Sequence, residues 1–141
     1  MHVTVQRAKD ATLITKGDSN HWVVMDSIKK FGGAEAGSKP MEMVLMSLGG
    51  CTGMDVLSLL KKMRVEIDDM RIEISAKRAD EHPKIYTAIH LDYIFEGAGL
   101  DKDKLIKAVN LSQDKYCSVS AMLNKTAEIT HNIKILDNRE T

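Results

Sequence analysis

The sequence predicts a single α+β domain that spans residues 1–141. Short β-rich runs fill the first third, a long apolar helical pattern follows, and strands and helices occupy separate runs in the rest. Such segregation is typical of α+β proteins. The chain is 43% hydrophobic with a net charge of +0, which excludes a disordered chain. The same charge balance argues against a nucleic-acid partner, because such proteins need an excess of lysine and arginine.

The first third is predicted to form short strands separated by turns. Turn signals lie at residues 9–10 and 17–20, and residues 31–39 contain three glycines that predict a loop. The strand residues are Val3 and Val5, Leu13 and Ile14, and residues 21–25.

A long helix is predicted from Pro40 to about Arg64. Proline suits a first helical turn because its missing N–H would have no partner there, and Glu42 suits the positive end of the helix dipole. Lys61 and Lys62 suit the opposite end. Apolar residues fall nearly all round this helix, so we expect it to be buried at the centre of the fold.

Two strands, two helices and a last strand are predicted after the central helix. Asp101 is expected to cap the first of these helices, and the second is expected to begin near Asp114. Apolar residues recur at the spacing of one strand face or one helix face throughout. The inward residues are Ile72, Ile74, Ala76, Ile85, Ile89, Leu91, Tyr93, Phe95, Leu105, Ala108, Val109, Ala127, Ile129, Ile133 and Ile135.

Two cysteines, Cys51 and Cys117, are the candidate reactive groups. No secretory signal is visible, so we expect a reducing, cytoplasmic location, where permanent structural disulfides are rare. Cys51 lies among Gly49, Gly50 and Gly53, each of which costs a helix about 0.8–1.0 kcal/mol relative to alanine. Close approach of another helix would offset this loss, and so would access of a small substrate to the sulfur. The alternative to substrate access is therefore helix packing alone, with Cys51 as a small core residue.

Cys117 has its own pair of interpretations. If Asp114 is a helix N-cap, Cys117 occupies the third helical position, where free N–H groups and the helix dipole favour a thiolate. The alternative is a half-buried cysteine that packs beside Tyr116.

The sequence favours neither a metal site nor a bound cofactor. The cysteines form no CxxC motif, and the histidines form no i,i+4 pair and no HExxH motif. The glycine-rich segment lacks the form of a phosphate-binding loop. No window approaches 18 consecutive apolar residues, so we expect no membrane span.

Residues 39–55, KPMEMVLMSLGGCTGMD, resemble the central-helix signature of the OsmC/Ohr family, and residues 115–120, KYCSVS, resemble its second cysteine motif. The resemblance covers essentially the whole chain, and its details are closer to the less characterised OsmC-like branch than to Ohr proper. It implies antiparallel β-sheets wrapped around long central helices in an intertwined homodimer, with the active site at the subunit interface.

In the peroxidase members of that family, the central-helix cysteine attacks an organic hydroperoxide and becomes a sulfenic acid. The second cysteine then forms a disulfide with it, and an external dithiol reductant restores both thiols without a cofactor. The resemblance therefore implies that Cys51 is peroxidatic and Cys117 is resolving. The Ohr-type branch activates its thiol with a glutamate directly after the helix-opening proline and with an N-terminal arginine. Here Met41 follows the proline, so Glu42 and Arg7 are the candidate activating or site-lining residues.

The resulting expectation is a peroxidase for organic hydroperoxides, and by extension hydrogen peroxide, in oxidative-stress defence. The alternative is a non-catalytic OsmC-like stress protein that binds a small apolar or thiol ligand at the dimer interface. A purely structural dimer with inert buried cysteines is the third hypothesis.

Overall fold

The structure is a computed structural model that describes residues 1–137. The chain divides into two compact units, of which the first ends at Met46 and the second begins at Ser47. Each unit contains a three-stranded sheet. The mixed α+β content predicted from the sequence is confirmed, whereas a single domain over residues 1–141 stays a prediction.

The first unit contains an antiparallel sheet in the order β1–β2–β3. Its strands are β1 (Val3–Lys9), β2 (Thr12–Gly17) and β3 (Val23–Met25). Asp10 turns the chain between β1 and β2 with a φ of 49°, a conformation that aspartate adopts more readily than most residues. A single 3₁₀ turn, Lys29–Phe31, leads into the predicted glycine-rich loop. The predicted strands and turns of this region are confirmed, except that the strand predicted over residues 21–25 covers only Val23–Met25.

A buried carboxylate fixes the loop that follows β3. Asp26 is only 3% exposed, and it accepts hydrogen bonds from the backbone N–H groups of Ser27, Ala34 and Ala36 at 2.7, 3.1 and 3.0 Å. The Thr12 hydroxyl donates a fourth bond at 3.0 Å. These bonds, with the N–H of Ala36 foremost, hold the pKa of Asp26 below its usual range against the opposing effect of burial. The irregular loop thereby satisfies backbone donors that have no strand partner.

The central helix, α1 (Pro40–Lys62), begins where the sequence predicts. It ends two residues before the predicted Arg64, which has a φ of 55° and so cannot continue a right-handed helix. Lys61 and Lys62 form its last turn, where their charge suits the helix dipole.

Within one chain, only one side of α1 is buried. The buried residues are Leu48, Thr52, Gly53, Val56, Leu59 and Leu60. In contrast, Met46, Met54 and Leu57 are 53%, 70% and 47% exposed. The described part of the chain therefore covers one side of this helix, and its full burial at the centre of the fold stays a prediction.

The length and composition of α1 would also allow it to cross a membrane. An 18-residue window of this helix reaches a mean hydropathy of 1.6, and 33% of that window is buried within the chain. A single such helix is weak evidence, since the core helix of a soluble protein has the same properties. The absence of a membrane span, expected from the lack of an uninterrupted apolar run, stays a prediction.

The second unit contains a mixed sheet in the order β4–β5–β6. Its strands are β4 (Asp69–Arg78), β5 (Tyr86–Glu96) and β6 (Glu128–Leu136). Strands β4 and β5 pair antiparallel, but β5 and β6 pair parallel. The expectation of antiparallel sheets is therefore corrected for this pair. Parallel pairing is possible because a long helical crossover separates β5 from β6.

The crossover consists of α2 (Lys102–Leu111), a π-helical turn (Ser112–Tyr116) and α3 (Ser118–Leu123). The Asp101 carboxylate caps α2 by accepting from the N–H groups of Asp103 and Lys104, as predicted. The core of this unit joins α2 to β5. Its most buried members include Ile89, Leu91, Tyr93, Phe95, Leu105, Ala108 and Val109. Ile85 differs from its prediction, because it precedes β5 and is 42% exposed.

Candidate active site

Cys51 lies in the middle of α1 and is half-buried. The glycines beside it let α1 approach β4. A Cβ on Gly49 would lie 3.0 Å from Cδ1 of Ile74, and one on Gly53 would lie 3.4 Å from Cδ1 of Ile72. The close neighbour is thus a strand rather than the helix that the sequence suggested. A Cβ on Gly50 would meet nothing within 4 Å.

Cys117 is the N-cap of α3 and is 2% exposed. Its Sγ accepts a hydrogen bond from the N–H of Ser120 at 3.4 Å. The prediction that Asp114 caps this helix and that Cys117 is the third helical residue is wrong. The segment before Cys117 is instead a π-helical turn, which closes with a 2.8 Å bond from the Cys117 N–H to the Ser112 carbonyl.

The electrostatic surroundings of Cys117 also differ from the expectation of a stabilised thiolate. Burial raises the pKa of the Cys117 thiol, and the neighbouring Cys51 thiol raises it further. Hydrogen bonds from Ser120 act in the opposite direction and do not outweigh burial. Because burial penalises the charged form, Cys117 is held as a neutral thiol near neutral pH.

The fold brings the two cysteines together with a carboxylate. The sulfurs of Cys51 and Cys117 and a carboxylate oxygen of Asp55 all lie within 4.8 Å of one another. The Ser112 hydroxyl lies 3.2 Å from Oδ2 of Asp55 and donates to it. Asp55 is not among the residues predicted for the site, although its position four residues after Cys51 places both on one helix face.

A buried hydrogen-bond network links the segments that carry the two cysteines. The Thr52 hydroxyl lies 2.6 Å from the Tyr93 hydroxyl and 2.8 Å from the Ser112 hydroxyl. The Gln113 amide nitrogen donates to the hydroxyls of Tyr93 and Thr52 at 2.7 and 3.1 Å. Its amide oxygen accepts from the Ser120 hydroxyl at 3.0 Å. Gln113 therefore connects the residue after Cys51 with the residue that donates to the sulfur of Cys117.

The two other candidate residues, Glu42 and Arg7, belong to the first unit. Glu42 accepts from the backbone N–H and the side-chain ammonium of Lys39, both at 3.0 Å, and these bonds lower its pKa. Its carboxylate thus caps the start of α1. Glu42 and Cys51 are nine positions apart on α1, about 13 Å and two and a half turns, so the two side chains leave opposite sides of the helix. Arg7 is exposed on β1.

Comparison with known proteins decides the family. The model of the family described as OsmC-like protein matches residues 32–132, a segment that includes both cysteines. The chain belongs to the OsmC-like family. The resemblance found in the sequence motifs is thereby confirmed.

This OsmC-like chain is similar to protein YhfA of Escherichia coli K12, with 35% identity over 136 residues that cover 96% of the chain and 98% of YhfA. A crystal structure of an OsmC-like protein from Mycoplasma pneumoniae has a TM-score of 0.82 at 13% identity, with 96% of each chain covered. A crystal structure from Legionella pneumophila, described as an organic hydroperoxide resistance protein, has a TM-score of 0.70 at 10% identity. That match covers 94% of this chain and 95% of the other. Both structural matches show a shared fold.

Proposed function

We propose that this chain is a cysteine-based peroxidase that reduces organic hydroperoxides in oxidative-stress defence. The observation that carries the proposal is the pair of sulfurs, Cys51 and Cys117, held within 4.8 Å of each other by separate helices. Membership of a family whose fold includes proteins described as organic hydroperoxide resistance proteins supports the same reaction.

The reaction balances with the two thiols and an external dithiol. The Cys51 thiolate attacks the terminal oxygen of the hydroperoxide, the O–O bond breaks, and the alcohol leaves with a proton. The Cys117 thiolate then attacks the sulfur of the Cys51 sulfenic acid, which forms the disulfide and releases water. Exchange with a dithiol reductant restores both thiols and leaves the reductant as a disulfide.

The surroundings of the sulfurs support this division of roles. Cys51 is half-buried and can meet a small substrate, whereas Cys117 is 2% exposed. Burial also raises the pKa of Cys117, so that thiol is a poor first nucleophile at neutral pH. We therefore assign the attack on peroxide to Cys51 and the second step to Cys117.

The proposal includes a homodimer. The exposed apolar side of α1, formed by Met46, Met54 and Leu57, needs a cover, and a second copy of the chain would supply it. In a dimer Glu42 and Arg7 would act as activating or site-lining residues across the interface, since α1 holds Glu42 away from Cys51 of its own chain. A monodisperse monomer in light scattering would contradict this part of the proposal.

Two reduced cysteines suit a reducing compartment, so we propose a cytoplasmic location with a dithiol reductant as the physiological partner.

The test of the function is a free-thiol count after one equivalent of cumene hydroperoxide is added to reduced protein. The count should fall from two to none, recover with dithiothreitol, and stay at one when Cys51→Ser protein is treated in the same way. Survival of both thiols in excess peroxide would overturn the proposal.

A further inference from the structure

The cluster of Cys51, Asp55 and Cys117 contains one group more than the peroxidase cycle uses. The cycle needs two sulfurs, yet a carboxylate oxygen of Asp55 lies within the same 4.8 Å. If both thiols were ionised, three negative charges would lie within this distance and would repel one another. The peroxidase cycle assigns no step to Asp55, whose carboxylate accepts a hydrogen bond from the Ser112 hydroxyl.

We propose that this cluster binds one Zn²⁺ ion per chain through Sγ of Cys51, Sγ of Cys117 and one carboxylate oxygen of Asp55. Thiolate sulfur and carboxylate oxygen are ordinary zinc ligands, and two sulfurs favour a thiophilic ion over Mg²⁺ or Ca²⁺. The divalent charge would turn the repulsion among the three groups into attraction. This inference goes beyond the proposed peroxidase and does not depend on it.

The geometry needs little adjustment to hold the ion. With Zn–S bonds of about 2.3 Å, two sulfurs in a tetrahedral site lie about 3.8 Å apart, so ligand atoms within 4.8 Å close by side-chain rotation. Cys51 and Asp55 are four residues apart on α1 and share one helix face. Cys117 faces them from the rigid N-cap position of α3.

Two buried serines already orient the ligands. The Ser112 hydroxyl donates to Asp55 Oδ2 at 3.2 Å, and the Ser120 N–H donates to the Cys117 sulfur at 3.4 Å. Both serines are almost fully buried, at 0% and 1% exposure. Such outer hydrogen bonds fix the direction of metal ligands and stabilise their charged forms.

Three protein ligands would leave the fourth zinc position open. Cys51 and Asp55 are only half-buried, so water or a small ligand can reach that position. The two thiols lose their protons to solvent as the Zn–S bonds form, so binding releases up to two protons and strengthens as the pH rises. Zinc and peroxide would exclude each other, because both require the electron pair of the Cys51 sulfur.

The experiment titrates reduced, metal-free protein with Zn²⁺ in competition with a chromophoric chelator. The wild type should bind one Zn²⁺ per chain, and Asp55→Asn should bind at least about tenfold more weakly. Asp114→Asn is the matched control, because it removes the same charge from an exposed position near Cys117, and it should bind like the wild type. Co²⁺ in place of Zn²⁺ should give tetrahedral absorption with a sulfur-to-metal band that weakens by about half in Cys117→Ser.

Absence of stoichiometric Zn²⁺ binding by the wild type would overturn the proposal, and so would Asp55→Asn protein that binds as tightly as the wild type. If circular dichroism shows that the Asp55→Asn protein is unfolded, the Co²⁺ spectrum of the wild type is the test of the site. A spectrum without the sulfur-to-metal band would then contradict it. Thiol loss to peroxide in metal-free protein is measured separately. Thiol loss without zinc binding would overturn the metal site and leave the peroxidase standing.

Discussion

The two cysteines of this chain share a site but differ in almost every surrounding feature. Cys51 lies half-buried in the middle of a 23-residue helix whose glycines allow close contact with β4. Cys117 is buried at the first position of a six-residue helix that follows an irregular π-helical turn. Burial raises the pKa of Cys117, and its sulfur is held by a backbone N–H.

Under the proposed peroxidase cycle, this difference would give two identical side chains separate tasks. An accessible sulfur on a long helix can meet a substrate, whereas a buried neutral thiol is protected from it. The buried thiol needs to ionise only when its neighbour is already oxidised. The rarity of π-helical turns, and their frequent presence at functional sites, agrees with a local structure that places Cys117 for this purpose.

The largest expected effect is the loss of all peroxide consumption in Cys51→Ser. Serine keeps the size of the side chain but is not a nucleophile for peroxide at neutral pH, so the rate should fall to that of buffer. Coupled consumption of cumene hydroperoxide with excess dithiothreitol measures it. Cysteine modification of the variant should show that Cys117 stays reduced. Residual activity above one-tenth of the wild type would contradict the role of Cys51.

Replacement of the other cysteine should separate the two steps. Cys117→Ser should keep the first oxidation within about a few-fold of the wild-type rate, because the attacking sulfur is unchanged. It should form no intramolecular disulfide, so its sulfenic acid should persist and overoxidise in excess peroxide. Stopped-flow mixing with one equivalent of peroxide measures the first step, and non-reducing mass analysis detects the disulfide. A first step as slow as that of Cys51→Ser would reverse the assigned roles.

The pH dependence of disulfide formation should further distinguish Cys117 from Cys51. Since burial raises the pKa of Cys117, the thiolate needed for disulfide formation is scarce at pH 7 and increases about tenfold per pH unit below that pKa. The second step should therefore accelerate through the alkaline range. Burial of the neutral Cys117 thiol stabilises the fold fully at pH values below the thiol pKa of the unfolded chain. That stabilisation is lost as the pH rises through the higher pKa of the folded chain. A second step that is independent of pH between 7 and 9 would contradict this account.

Gln113 should stabilise the folded chain and hold in position the segments that carry Cys51 and Cys117. Gln113→Ala removes a donor to Tyr93 and Thr52, which still bond to each other, and removes the acceptor of the buried Ser120 hydroxyl. The expected loss is about 1–3 kcal/mol of unfolding free energy, together with slower disulfide formation. Urea unfolding and stopped-flow kinetics measure the two effects. Lys115→Ala, at an exposed position of the same turn, is the control, and equal losses in both variants would contradict the role of the network.

The smallest effect on the thiols is expected from Asp26, which lies in the first unit. The pKa of Asp26 is lower in the folded than in the unfolded chain, so its charge stabilises the fold at pH values above the unfolded-state pKa. That stabilisation is lost as the pH falls through the folded-state pKa. Asp26→Asn should lower the melting temperature by several degrees at pH 7 and by less in acid. The ratio of the two thiol steps should not change. A melting difference that is constant from pH 7 to acid would contradict the importance of this carboxylate's charge.

Much of the fold could be predicted from local patterns. Alternating apolar residues gave the strands, Pro40 gave the start of α1, and Asp101 gave the start of α2. The parallel pairing of β5 with β6 has no local signature, since it depends on where the crossover returns the chain. The apolar residues all round α1 did indicate that one chain has too few elements to cover this helix, but they could not show which of its sides stays exposed.

The site was predictable only in part, for similar reasons. Cys51 and Cys117 were identified from their motifs, but the place of Cys117 was not, because a π-helical turn interrupts the helical period on which the prediction relied. Asp55 lies four residues after Cys51, but nothing in the sequence shows that Cys117 lies beside both. The role of Gln113 could not be predicted, because its hydrogen bonds with Thr52 and Ser120 are seen only in the structure.

The most direct test of the central claim locates the first oxidised sulfur. Reduced Cys117→Ser protein is mixed with one equivalent of cumene hydroperoxide in the presence of dimedone, which traps sulfenic acids, and the adduct is mapped by peptide mass analysis. Cys51→Ser protein treated identically is the control. The account predicts a stoichiometric adduct on Cys51 in the first protein and none on Cys117 in the second. An adduct on Cys117 of the control, or none on Cys51, would contradict it.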